Sequence, residues 1–122
     1  MTGPDQDGWV RTARDGAVLT VTLDRPDRLN AQTPATWAAL AAVGAALDDG
    51  VRVVVVRGEG RSFSAGLDRS LFSPEPGVPG GLGDLGRLPA EEAQERIRSF
   101  QAGFRWLRRP GIVSPTCAAA AT

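Results

Sequence analysis

Residues Val53 to Val56 are four valines in a row, and few folds can accept such a run. β-branched side chains are stiff about χ1 and favour extended backbone. The segment VRVVVVRG, Val51 to Gly58, does not alternate polar with apolar residues. It therefore reads as a strand buried on both faces, the kind found in parallel sheets covered by helices. Upstream, AVLTVTLD from Ala17 to Asp24 does alternate, Val21 and Leu23 against Thr20, Thr22 and Asp24, which indicates a half-buried strand. Between the two, Thr33 is a suitable N-cap and Pro34 suits the first helical position. Trp37, Leu40, Ala41, Gly44 and Leu47 then share one helical face, and Asp49-Gly50 stops the helix. Strand, helix and strand over about forty residues make a right-handed βαβ crossover. The class is α/β.

The remaining segments extend that frame. Residues 1–8 are polar and read as a loose leader. Trp9 to Arg14 is the expected hairpin partner of the first strand, turned by Asp15-Gly16. Arg25 to Asn30 is a loop begun by Pro26. Ser73 to Leu88, with Pro74, Pro76, Pro79 and five glycines, reads as a surface loop. A second helix spans Pro89 to Arg109, with Ala93, Ile97, Phe100, Phe104 and Leu107 as its apolar stripe. Phe100, Phe104 and Trp106 read as core residues. Glu91, Glu92 and Glu95 near its start and Arg105, Arg108 and Arg109 near its end complement the helix dipole. Gly111 to Ser114 resembles the entry to a further strand. Pro115 then interrupts it, and 115–122, PTCAAAAT, is an anomalous tail. One domain, 9–114, is expected.

Composition removes several functions. The 122 residues carry 14 basic and 14 acidic side chains, without the excess positive charge of a nucleic-acid-binding face. All the basic residues are Arg, which codon bias explains. With no His, triad chemistry and His metal ligation are excluded. The single Cys117 cannot form an internal disulfide or a Cys-rich zinc site, and no metal is expected. No apolar run is long enough to span a membrane, and the first residues lack the pattern of a signal peptide. A cytoplasmic location is expected.

Chemistry is concentrated in Gly58-Glu-Gly-Arg-Ser-Phe-Ser-Ala-Gly-Leu-Asp68, directly after the valine strand. Ligands bind at the carboxyl ends of strands in open α/β sheets. Ser64, Ala65 and Gly66 are small enough for backbone to approach a ligand closely. A helical turn beginning near Gly66 would offer free N–H groups to a developing negative charge. The loop matches neither a nucleotide phosphate loop nor a dinucleotide fingerprint, and alone it is equally compatible with a tight turn that binds nothing.

LTVTLDRPDRLNA, Leu19–Ala31, followed by a helix and then VVVVRGEGRSFSAGLD, Val53–Asp68, resembles the enoyl-CoA hydratase/isomerase, or crotonase, family over residues 10–113. The resemblance implies a crotonase-like (ββα)-repeat core, incomplete at the carboxyl end. It also implies an acyl-CoA thioester as partner and substrate, with coenzyme A as part of the substrate and no separate cofactor. The chemistry would be of the hydratase/isomerase type found in fatty acid metabolism, through an oxyanion hole whose first donor is the backbone N–H of Leu67. Loss of one such donor costs about 3 kcal/mol. Ala31 and Ala65 match positions that contact the CoA moiety, with Ser64 and Gly66 beside them. Arg28 is either a contact to a CoA phosphate or a solvated loop charge. Asp68 is expected to cap a helix start rather than act as a base, and Arg25 to pair with Asp24. Full-length relatives homo-oligomerise.

After Ser114 the chain departs from the family pattern. The family's second donor lies in a Gly-rich loop after the next strand, with acidic residues beyond it, and 115–122 match neither. A truncation or a shifted reading frame is the expectation, with catalysis impaired because hydration needs positioned acid–base groups. Asp48-Asp49 and Glu91-Glu92 read as solvated helix ends. A non-catalytic CoA-binding or interaction fragment, and a non-functional product, remain open beside the enzyme.

Overall fold

The computed structural model describes residues 8–68, 85 and 87–111. The expected leader, most of the Ser73–Leu88 loop, the strand entry beyond Gly111 and the tail with Cys117 lie outside the described residues.

Strand β1, Val10–Asp15, and strand β2, Val18–Leu23, form an antiparallel hairpin in which Asp15 faces Val18. The loop residues are therefore Gly16 and Ala17, not Asp15-Gly16. Gly16 has φ +58, which a two-residue hairpin requires at its first loop position, and Asp15 stays in the ladder. Helix α1, Pro34–Ala45, begins as expected. Thr33 accepts from the Thr36 N–H while the Thr36 hydroxyl accepts from the Thr33 N–H, a reciprocal capping box. Strand β3, Val53–Gly58, lies parallel to β2 in the order β1-β2-β3. The β2–α1–β3 unit is the crossover expected from the sequence.

Leu19, Val21, Trp37, Leu40, Val51 and Val54 form the core between the sheet and α1. Val54 is fully buried, but Val53, Val55 and Val56 are half-buried, so β3 is not covered on both faces. Among the described residues its one neighbouring strand is β2, and the core with α1 lies on the Val54 side.

Helix α2, Ala90–Arg105, packs on α1 and runs into a short 3-10 turn, Trp106–Arg108. Its contact face differs from the expected stripe. Phe100 meets Trp37 with ring centroids 4.9 Å apart, and Leu107 packs against the core. Ile97 and Phe104, however, are 41% and 42% exposed, so Phe104 is not a core residue. The rotation follows from two close approaches. Gly44 of α1 lies under the Trp106 indole, and Gly103 of α2 lies against the Trp37 backbone. A hydrophobicity pattern gives glycine no weight, yet these contacts need its missing Cβ.

A Cβ at Gly103 would lie 2.6 Å from the Trp37 carbonyl oxygen. Gly→Ala inside a helix normally stabilises by about 1 kcal/mol, while overpacking against backbone costs about 1–3 kcal/mol. The clash should win. Gly103→Ala is expected to lower the urea midpoint, with a net loss of up to about 2 kcal/mol; an unchanged or raised midpoint would contradict the packing described.

Candidate functional site

Two loops leave the same end of the sheet, one after β2 and one after β3, and the Asn30 side chain joins them. Asn30 is 2% exposed. Its Oδ1 accepts from the Arg25 N–H at 2.7 Å, and its Nδ2 donates to the Glu59 and Ser62 carbonyls at 2.9 and 2.8 Å. Leu29 and Asn30 both have positive φ, 53 and 57. Asn tolerates the left-handed region, and Leu does so at a cost of about 1–2 kcal/mol. That strained pair lets Pro26–Arg28 form a tight 3-10 turn and brings the Leu29 carbonyl to the Ala65 N–H, 2.8 Å.

Arg25 ties the base of the first loop to the end of the second. Its Nη1 donates to Asp68 Oδ2 at 2.7 Å, both side chains being largely buried at 14% and 16% exposure. Its guanidinium lies 3.9 Å above the Trp9 ring, a cation–π contact. The expected Arg25–Asp24 pair is thus replaced: Asp24 pairs with Arg11. Asp68 is an ion-pair partner of Arg25, and the segment whose start it is expected to cap, from residue 69 onward, lies outside the described residues. Up to Asp68 no helical turn begins at Gly66. Instead Gln32 and Leu67 form a parallel bridge, because Gly66 at φ +91 turns the chain alongside the first loop.

That bridge determines which amides are free. The Ala65 N–H goes to the Leu29 carbonyl, the Gly66 N–H to Ser64 Oγ and the Asp68 N–H to the Gln32 carbonyl. In a parallel bridge the central residue's own N–H points away from the partner strand. Accordingly the Leu67 N–H has no hydrogen-bond partner among the described residues, and Leu67 is 40% exposed.

Leu67 lines a cleft of about 450 Å³ together with Arg28, Ala31, Arg61, Ala65 and Asp68. The structure therefore gathers Arg28, Ala31, Ala65 and Leu67 around one cleft. Ser64 and Gly66 are not among its lining residues, and Ser64 is engaged by Gln32 and Asn30. Sequence reasoning missed two groups. Arg61, exposed on the same cleft as Arg28, carries no motif signal beyond its place in the loop. Gln32 follows the Asn-Ala pair but has a side chain whose contacts only the fold reveals. Two further grooves, of about 480 and 330 Å³, lie along α1 and β1 and are lined mainly by apolar residues. They lack the converging polar groups of a binding site. Among the described residues no cluster of His, Cys, Asp and Glu could hold a metal ion, and no helix is long and apolar enough to cross a membrane.

Asn30→Asp keeps the acceptor for Arg25 but removes both donations to the second loop, leaving two carbonyls facing a carboxylate. Each unsatisfied buried group costs about 1–3 kcal/mol. Chemical denaturation of Asn30→Asp should show a loss of at least about 2 kcal/mol; a loss below about 0.5 kcal/mol would mean that Asn30 does not join the loops.

No protein-family model matches the chain. A Mycobacterium leprae protein named enoyl-CoA hydratase echA12 is 32% identical over 111 residues, 85% of this chain and 38% of that protein. A Mycobacterium tuberculosis protein named enoyl-CoA hydratase EchA13 is 48% identical over 59 residues, 47% of this chain and 19% of that protein. Among solved structures, an enoyl-CoA hydratase from Thermobifida fusca YX in complex with acetoacetyl-CoA is 38% identical, with a TM-score of 0.79 over 92% of this chain and 43% of that one. This chain thus spans less than half the length of each of these relatives. The described strands and helices are part of the crotonase fold, and the chain is similar to enoyl-CoA hydratases over part of their length.

Proposed function

We propose that the cleft binds an acyl-CoA thioester, with the thioester carbonyl oxygen on the Leu67 N–H. The observation that carries this reading is the Leu67 amide, without a hydrogen-bond partner among the described residues and in a residue that lines the cleft, in a segment from Ala65 to Asp68 whose other amides are all engaged. A donor that is fixed before the ligand arrives loses little to reorganisation, which makes it effective against developing negative charge. The T. fusca protein is solved with acetoacetyl-CoA and with CoA, which supports a CoA ligand for this chain.

The charges suit such a ligand. Neither the Arg28 nor the Arg61 side chain has a hydrogen-bond or ion-pair partner among the described residues, so both are available to phosphates. Ala31 and Ala65 present little side chain, which lets the CoA arm approach backbone. Coenzyme A arrives as part of the substrate, and no separate cofactor belongs to the reading.

The family chemistry would be hydratase/isomerase-type, with charge on the thioester oxygen stabilised by an oxyanion hole. The described residues supply one donor. The acidic groups on the cleft are Asp27 and Asp68, and Asp68 is engaged by Arg25. We therefore infer binding without efficient turnover for the chain as given. We infer a cytoplasmic location and self-association of the full-length protein as part of the same reading.

Calorimetric titration of the 122-residue chain with CoA and acetoacetyl-CoA tests this directly. Saturable binding of both is expected, weakened severalfold by Arg61→Ala and further by added salt, since exposed charge contacts are screened. Crotonyl-CoA turnover should stay near background. Absence of binding would sink the acyl-CoA reading, and rapid turnover would sink the inference that one donor is insufficient.

A further inference from the structure

We propose that the Gln32 side chain is a positioning residue for the Leu67 N–H, tuning how strongly the cleft prefers a thioester over free CoA. The proposal rests on the acyl-CoA reading above. Gly66, with φ +91 and no Cβ contact within 4 Å, has no steric means of fixing the peptide planes on either side of it. Hydrogen bonds must do so. The plane of the Gly66–Leu67 peptide is set by the Gln32 backbone N–H, which donates to the Gly66 carbonyl at 2.7 Å. Because the peptide is planar and trans, that bond points the Leu67 N–H away from Gln32.

The plane on the other side of Gly66 is set by Ser64. Its hydroxyl has one hydrogen and two lone pairs, and all three are engaged. The hydrogen goes to the Asn30 carbonyl at 2.8 Å, and the lone pairs accept from the Gly66 N–H at 3.1 Å and from Gln32 Nε2 at 3.0 Å. Gln32 Oε1 in turn accepts from Trp37 Nε1 at 2.9 Å. Trp37 is a core residue, 6% exposed. The side chain of Gln32 thus carries the rigidity of the core into the loop that bears the free Leu67 amide. It touches no part of the cleft, so it acts only through Ser64 and Gly66.

Gln32→Glu separates the links. A carboxylate still accepts from Trp37 Nε1 but cannot donate to Ser64, and it draws the serine hydrogen off the Asn30 carbonyl. Gln32→Leu removes both links at similar volume. The readout is the ratio of the CoA and acetoacetyl-CoA dissociation constants, measured by calorimetry at a temperature where circular dichroism shows each variant folded. Free CoA has no thioester carbonyl to report on the Leu67 N–H, so a purely structural lesion weakens both ligands alike.

The ratio should fall roughly threefold to tenfold in both variants, the range of one weakened hydrogen bond. The near-ultraviolet absorbance of the acetoacetyl-CoA enolate in the complex should fall with it. An unchanged ratio in both variants, beside a wild-type chain that prefers acetoacetyl-CoA, overturns the positioning role and leaves the functional reading intact. A wild-type chain that binds neither ligand overturns the functional reading itself, and the positioning role with it.

Discussion

The Asn30 side chain carries the connection between the loop after β2 and the loop after β3. It has one acceptor and two donors, and all are used: the Arg25 N–H on its own loop, the Glu59 and Ser62 carbonyls on the other. These are backbone groups at the end of a sheet, where ladder partners have run out, and buried backbone groups must be paired somewhere. Asn30 also accepts a left-handed backbone conformation, φ 57, that Asn adopts more readily than most residues. With the loops joined, Ala65 can donate to Leu29, Gln32 can bridge to Leu67, and Asp68 can reach Arg25.

The site is thus a consequence of backbone accounting. Three of the four amides from Ala65 to Asp68 are claimed by the first loop or by Ser64, and the fourth, that of the cleft-lining Leu67, has no partner among the described residues. The energetic burden of this arrangement is carried elsewhere: in the strained Leu29, in the largely buried Arg25–Asp68 pair, and in the desolvation of Asn30. Strain of this kind persists only when the surroundings over-determine it. Here the surroundings are the α1 capping box, the Trp9–Arg25 contact and the core around Trp37.

Much of the fold was legible because its signals are local. Four valines, alternating Thr and apolar residues, and Thr33-Pro34 each specify backbone geometry through their own sterics and hydrogen bonding, and β2, α1 and β3 result. The face of α2 was not legible. Ile97 and Phe104 fit a helical stripe as well as Phe100 does, and only the approach of Gly103 to Trp37 and of Gly44 to Trp106 decides which residues turn inward. The hairpin loop shifted by one residue for a similar reason, since strand pairing decides where Asp15 belongs. In the candidate site, the paired motifs around Asn30 and Ser64–Asp68 lie on the two loops that the Asn30 side chain joins. The pairing of Asp68 with Arg25, the bridge of Gln32 to Leu67 and the meeting of Arg61 and Arg28 on one cleft depend on contacts between segments some thirty to forty positions apart, which no local pattern encodes.

Backbone amide hydrogen exchange in the ligand-free chain, resolved residue by residue by nuclear magnetic resonance, tests the central claim most directly. The account predicts slow exchange at Ala65, Gly66 and Asp68 and rapid exchange at Leu67. It also predicts that the Leu67 amide resonance moves more than its neighbours when acetoacetyl-CoA is added. Protection of Leu67 equal to that of its neighbours, or a Leu67 resonance indifferent to acetoacetyl-CoA binding, would contradict it.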